Sequence, residues 1–403
     1  MQEVLTVENP GRSFNRNQIT KLAFVTTYNA RDIKNWSGTP FYMSKALMNY
    51  GFEIDFIGDL KDMPRPSSIA RGRSLLYDKI LKNRLGKYDV FYEAENLKYI
   101  ARQVQDRLSQ EEVDVIFSPG AIPIAYLETS KPLVMWTDAT FAVMYEYYPS
   151  YSGLNLRTIR NCHSYERNVH KRLSLAIFSS EWAANSAINQ YGVDPSIVKV
   201  VPFGANIECH RTVSDINKMN EEKSHNNCKL LFIGQDWYRK GAETAVEVVK
   251  EMNNRGIKTE LSIVGCYPPS SYQLPDYVTA YGFVDKNNPD GMKLINKLYA
   301  ESHFFILPTI AECTPIVFSE ANSYGLPVIT TNTGGISSII KDEVNGKMFG
   351  ESINILKCSS YICDHFTDYN TYCNFSLSAF NEYLLNLNWE TSIRKVAQLI
   401  EKI

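Results

Sequence analysis

Short apolar runs recur along the chain, each stopped by a polar or glycine-bearing turn. In the first half, Lys21 to Thr27, Glu53 to Ile57, Val113 to Ser118, Pro132 to Trp136, Leu175 to Ser179 and Val198 to Val201 read as strands. In the second half, Lys229 to Ile233, Leu261 to Gly265, Phe304 to Leu307 and Pro327 to Thr330 read the same way. Stretches of helical period lie between them. One is opened by Trp36-Ser37-Gly38-Thr39-Pro40 and closed after Tyr50 by Gly51; another opens at Ser179 to Asn185. A clearly amphipathic one runs from about Ala242 to Arg255, and a last one from Asn388-Trp389 to Ile403. Strands alternating with helices predict an α/β fold built on parallel sheets. At 403 residues the chain is too long for one ordinary core, so two domains are expected. Pro202-Phe203-Gly204-Ala205-Asn206 closes the first half, and Ile207 to Asn227, polar and poor in periodicity, reads as a linker or surface excursion. Residues 1 to 18 read as a loose polar leader, and His163 and His170, in a helix with polar neighbours, as surface residues.

The stretch from His303 to Phe349 carries the densest pattern. The apolar run Phe304 to Leu307 stops at Pro308, a loop bearing Glu312 follows, and Thr314-Pro315 introduces Ile316 to Ser323. Threonine is a good N-cap and proline suits the first helical position, so a helix is predicted there. Its free N–H groups, at Ile316, Val317 and Phe318, then form an anion site beside Glu312, with Glu320 about a turn further in. After Pro327 to Thr330, Thr333-Gly334-Gly335 marks another helix start. Two strand–loop–helix units with polar loops at the strand ends make the ligand crevice of an open parallel sheet.

Composition narrows the function class. Hydrophobic content of 44% and charged content of 21% are those of a globular protein, and a net charge of −2 shows no global bias towards nucleic acid. No apolar run reaches the ~18 residues of a membrane span. Eight scattered cysteines and a polar N-terminus suggest free thiols in a reducing cytoplasm, and the six histidines do not cluster with cysteine at zinc-ligand spacing. One segment departs from the average. Lys61 to Lys87 holds Lys61, Arg65, Arg71, Arg73, Lys79, Lys82, Arg84 and Lys87 around Leu75, Leu76, Ile80 and Leu81. It reads either as a solvated helix face or as a surface that docks on anionic lipid or acceptor.

Two further loops carry candidate chemistry. Gly234-Gln235-Asp236-Trp237-Tyr238-Arg239-Lys240-Gly241 joins a strand to a helix N-terminus, and its basic pair suits a diphosphate; the plain alternative is surface charge. Asp138 follows a strand, where a carboxylate either orients or deprotonates a hydroxyl or simply caps the next helix.

Glu312, seven residues, Glu320, then Gly325-Leu326-Pro327-Val328, Gly334-Gly335 and Asn345-Gly346 resemble the donor-site signature of retaining glycosyltransferases of the GT-B fold, family 4, also called glycosyl transferases group 1. The resemblance covers most of the chain, strongest over 229–349 and weakest over 55–130. It implies two Rossmann-like domains facing across a cleft: 1–206 on the acceptor side, 207–387 binding the nucleotide sugar, and 388–403 as a helix crossing back to the first domain. It implies that Glu312 contacts the donor sugar, that Glu320 contacts the ribose, and that Gly234 and Lys240 hold the diphosphate, with Gly38 and Thr39 facing it across the cleft; Arg239 is expected to supply the charge that the family places at Gln235. The segment from Cys313 through Thr314 and Pro315 to Ile316 supplies backbone groups, and Gly265, Phe283 and Val284 border the base. The sequence departs from the family pattern at Gln235, where an arginine is usual, at Asp138, where a histidine is usual, and at Ser338, where a glutamate is usual.

No Asp-x-Asp element is present to hold a divalent ion, so Lys240 and Arg239 are expected to carry the leaving charge without metal or other cofactor. The expected activity is metal-independent, retaining transfer of a hexose from a UDP- or GDP-sugar to a glycan or lipid-linked acceptor in surface polysaccharide assembly. Catalytic roles fall to Glu312, Asp138 and Lys240, the expected location is the cytoplasm or the inner membrane face, and nucleic acid is no partner. The rival is a degenerate subunit of the same fold that binds nucleotide sugar or a partner enzyme without catalysis. A GT-B-like epimerase or phosphorylase fits less well, and a dehydrogenase less still, because the first loop has no G-x-G-x-x-G.

Overall fold

The structure is a computed structural model that describes residues 21–64, 72, 86–110 and 112–403. The leader and most of the basic segment at 61–87 lie outside the described residues.

Two six-stranded sheets organise the described residues, and every pair of neighbouring strands in them is parallel. The first holds β1 (Lys21–Val25), β2 (Glu53–Ile57), β3 (Val115–Ser118), β4 (Leu133–Thr137), β5 (Leu175–Phe178) and β6 (Val198–Val200), in the order β2-β1-β3-β4-β5-β6. The second holds β7 (Cys228–Ile233), β8 (Thr259–Val264), β9 (Val278–Gly282), β10 (Phe304–Leu307), β11 (Val328–Thr331) and β12 (Gly346–Phe349), in the order β12-β11-β10-β7-β8-β9. Parallel strands need crossovers and are covered on both faces, which explains unbroken apolar runs such as Leu22–Val25 and Phe304–Leu307, all with no exposed surface. The architecture is GT-B: two Rossmann-like α/β domains.

The chain crosses between domains twice, at one place. Ala205 N–H donates to the Leu387 carbonyl (3.0 Å), and a Cβ on Gly204 would sit 2.2 Å from the Trp389 nitrogen, so only glycine lets the two crossings touch. Beyond it the helix Trp389–Ile400 packs Trp389, Ile393, Val396, Ala397 and Ile400 against Leu22, Phe24, Met43 and Leu47 of the first domain. At about 25 cal/mol per Å² of apolar surface, a face of this size is worth several kcal/mol.

Three expectations change. The stretch Ile207 to Asn227 is no linker: it contains a helix, Val213–Glu222, with a capping box in which Thr212 and Asp215 satisfy each other's backbone. Ile216 and Asn220 are buried, and Asn220 Nδ2 donates to Ser376 Oγ (3.0 Å) on the helix Tyr369–Asn386. Periodicity missed it because its buried face uses a polar residue. His170 is buried rather than exposed, its ring 3.1 Å from Glu166 Oε2, and His163 is half-buried 3.0 Å from the Tyr191 hydroxyl. The helix Leu156–His170 turns Thr158, Cys162, Tyr165, Glu166 and His170 inward, so its polar letters hide the core face. After Gly335 there is only a 3-10 turn, Ile336–Ser338, in place of a helix. Among the described residues, no helix is long and apolar enough to cross a membrane.

Candidate active site

The second sheet reverses direction at its centre. From β7 the chain lays β8 and β9 on one side, then β10, β11 and β12 on the other, so the loops after β7 and β10 diverge and leave a crevice at their carboxyl ends. After β7, Asp236 folds the turn, its carboxylate accepting from the N–H groups of Tyr238 (3.1 Å) and Arg239 (2.9 Å). A Cβ on Gly234 would meet Lys240 Cγ at 2.8 Å, so glycine lets the lysine stem lie back across the strand end. Gly241, at φ +77°, then starts the helix Ala242–Asn254; a Cβ there would lie 2.1 Å from the Pro308 carbonyl, so the two loops touch over glycine.

Glu312 is where they meet. Its side chain is buried, and Oε1 accepts from Arg239 Nη1 (3.2 Å), from Thr309 Oγ1 (3.2 Å) and from Lys240 Nζ. Arg239 also donates to the Ala311 carbonyl (2.9 Å). Burying a carboxylate costs several kcal/mol unless cations and hydrogen bonds compensate it, and here both are present. Glu320, only 1% exposed on the helix Ile316–Asn322, has its own partners: Lys286 Nζ lies 2.7 Å from each oxygen, and the Tyr299 hydroxyl donates at 3.0 Å.

The first domain closes over this loop. Asp138, half-buried just beyond β4, is close enough to Glu312 for their charges to interact; burial, opposed by a backbone hydrogen bond and reinforced by Glu312, raises its carboxyl to about 7. Tyr147 and Tyr148 reach the loop directly. Glu312 N–H donates to the Tyr147 hydroxyl (3.0 Å), which also pairs with Thr333 Oγ1 (2.8 Å), and Cys313 N–H donates to the Tyr148 hydroxyl (3.0 Å). The Arg239 guanidinium lies 5.3 Å from the Tyr148 ring centre. Ser179 and Thr314 share a hydroxyl–hydroxyl bond, and Glu181 N–H donates to Ser338 Oγ (2.9 Å).

Residues 227–356 match the family described as glycosyl transferases group 1. The galactosyltransferase of Escherichia coli that is named for transfer from UDP-Gal to GlcNAc-diphosphoundecaprenol is 28% identical over 174 residues, 40% of this chain and 43% of that protein. Across the first curated relatives the chain spans from 30% to 49% of their length. Solved structures extend the likeness in fold to nearly the whole chain. Sucrose-phosphate synthase of Thermosynechococcus elongatus superposes with a TM-score of 0.67 at 14% identity, covering 95% of this chain and 98% of that one. HepE of Anabaena, solved with UDP and glucose, gives 0.62 at 15% identity over 95% and 100%.

Within the matched residues the structure brings Gly234, Arg239, Lys240, Glu312, Cys313, Thr314, Pro315, Ile316 and Glu320 around one crevice. The helix start differs in detail: Pro315, not Thr314, is the N-cap, and the Phe318 N–H, expected to be free, donates to the Pro315 carbonyl (3.0 Å). Gly265, at φ +101°, packs on Gly234 and donates its N–H to the Gly282 carbonyl (2.7 Å), stacking the ends of β7, β8 and β9. Phe283 is exposed and Val284 half-buried at the rim beyond β9. Across the cleft, Gly38 caps the helix Thr39–Tyr50 at φ +83° after left-handed Trp36 and Ser37. The Thr39 hydroxyl is buried and accepts from Asn206 Nδ2 (3.2 Å). Lys286, Tyr299, Tyr147 and Tyr148 escaped sequence reasoning. Lys286 sits in a loop of unremarkable polarity, and a tyrosine-rich run gives no period that marks which hydroxyls reach another domain. Among the described residues, no group of three or more His, Cys, Asp or Glu could hold a metal ion.

Proposed function

We propose that the protein is a metal-independent, retaining glycosyltransferase that moves a hexose from a UDP- or GDP-sugar to a glycan or lipid-linked acceptor in surface polysaccharide assembly. One observation carries the reading: Lys240 and Arg239 converge on buried Glu312 at the switch point of a group 1 domain. Two cations beside the crevice can stabilise a departing diphosphate without a divalent ion. Glu312, rigidly held, accepts hydroxyls of the donor sugar, and Glu320 with Lys286 faces the ribose side. Asp138, whose carboxyl titrates near neutrality, can take the proton of an incoming hydroxyl or hold the sugar. A cleft covered by Tyr147 and Tyr148 excludes water and limits hydrolysis. The E. coli relative, named for a UDP-sugar donor and a diphosphoundecaprenol-linked acceptor, supports the donor and acceptor classes. A lipid-linked acceptor would put the protein at the inner membrane face, with the basic, apolar segment 61–87 as its contact.

Calorimetric titration with UDP and with GDP, first in EDTA and then with added magnesium, tests the reading. Binding of one nucleotide without metal is expected. Binding of neither by folded protein transfers the reading to a subunit that no longer catalyses, with Gln235 in place of arginine as the first cause to examine.

A further inference from the structure

The Glu312 loop belongs to the second domain, yet two of its backbone N–H groups and the Glu312 carbonyl bond to the first. Tyr147 and Tyr148 sit on a short loop after the helix Phe141–Met144, and the loop turns at Glu146, whose φ of +59° is left-handed without being glycine. Such strain persists where the surroundings over-determine it. Here the Glu146 carboxylate accepts from Gly153 N–H (3.1 Å), and the Tyr147 ring packs on Trp182 with centroids 5.2 Å apart. The hydroxyls are thereby aimed across the cleft. A Cβ on Gly334 would lie 2.6 Å from the Tyr147 hydroxyl, so the bare glycine makes room for it, and Thr333 next to it supplies the second bond.

We infer that Tyr147 and Tyr148 are positioning residues that hold the Glu312 and Cys313 amides from across the cleft, so that the acceptor-side domain completes the placement of the donor-side loop when the domains are closed. The inference rests on the glycosyltransferase reading and adds closure-dependent assembly to it. On that reading nucleotide affinity is set within the second domain by Glu320, Lys286, Lys240 and Arg239, whereas the backbone of Glu312 and Cys313 is completed by the first. Loss of either hydroxyl therefore lowers turnover and leaves nucleotide binding nearly unchanged. Each N–H left without its acceptor loses the protection of a buried hydrogen bond.

The test compares wild type with Tyr147→Phe, Tyr148→Phe and Thr333→Val, which keep ring and shape. Backbone amide exchange in peptides spanning 308–317 is measured with affinity for UDP and GDP. Turnover of UDP-glucose and GDP-mannose, by transfer to water or to added acceptor, is measured on the same samples. Exchange about tenfold faster in both tyrosine variants, turnover down about tenfold and nucleotide affinity within twofold support the inference. So does a Tyr147→Phe/Thr333→Val pair whose effects fail to add. Unchanged exchange overturns it, as does faster exchange with unchanged turnover. Wild type that binds neither nucleotide fails the functional reading by a separate measurement, and unchanged exchange in the variants would still reject the interdomain contact on its own.

Discussion

Glu312 meets three donors in a buried corner, and under the proposed function that concentration makes it the residue on which transfer should depend most. Glu312→Gln keeps shape and removes the carboxylate that Lys240 and Arg239 share, leaving Arg239 with Asp236 at 3.8 Å. Transfer is expected to fall at least about a hundredfold, the usual scale for one preorganised electrostatic contact, with an intact circular-dichroism spectrum. Asp138 trades stability for chemistry. Its carboxyl, ordinarily near 3.8, is raised to about 7 by burial and then by Glu312. The native state therefore holds a proton that the unfolded chain releases between those values, and stability contributed below pH 3.8 is lost as pH rises towards 7. Asp138→Asn should raise the melting temperature by about 5 °C at pH 8, with the gain vanishing near pH 4. It should also remove a limb near pH 7 from the pH–rate profile. Melting curves and rates at both ends of the range check the two effects together.

The helix Val213–Glu222 shows how an element can be well specified and still hard to read. Its capping box is explicit in Thr212-x-x-Asp215, but between the cap and Lys223 the buried face is little more than Ile216 and Asn220. Thr212→Ala should cost about 1 kcal/mol in denaturant unfolding, the scale of one N-cap. Lys223 at its end is buried, its Nζ donating to Tyr372 Oη (2.9 Å) and Asn220 Oδ1 (3.3 Å), and burial lowers the ammonium to about 7 from 10.5. A depressed lysine favours the fold above pH 10.5 and loses that favour as pH falls to about 7. Lys223→Met should accordingly raise the melting temperature at pH 7 by several degrees, with the gain shrinking as pH approaches 10; equal gains at both would refute the assignment.

At the scale of the molecule, the last helix ties the two domains together. Trp389 Nε1 donates to Asn206 Oδ1 (3.0 Å), and Asn206 Nδ2 in turn donates to the Ser37 carbonyl (2.8 Å). The crossing, the closing helix and the loop at Gly38 thus move as a unit. Deleting residues 387–403 uncovers the apolar face of Leu22, Phe24, Met43 and Leu47. The shortened protein should lose folding of the first domain and aggregate on size exclusion, while unfolding of the second domain survives as a separate transition.

The strands were legible because buried parallel strands are apolar throughout, whereas Glu312, Glu320, Lys240 and Gly234 were singled out by their resemblance to a family signature. Sequence by itself thus determined the fold class, the two-domain plan and the crevice of the second domain. Only the tertiary structure decided what faces that crevice. The buried polar face of His170 and Glu166, the pairing of Lys286 with Glu320 and the reach of Tyr147 and Tyr148 all depend on residues distant in sequence. Periodicity reports which side of an element is apolar; it carries no information on which polar atom finds which partner once two elements, or two domains, have met.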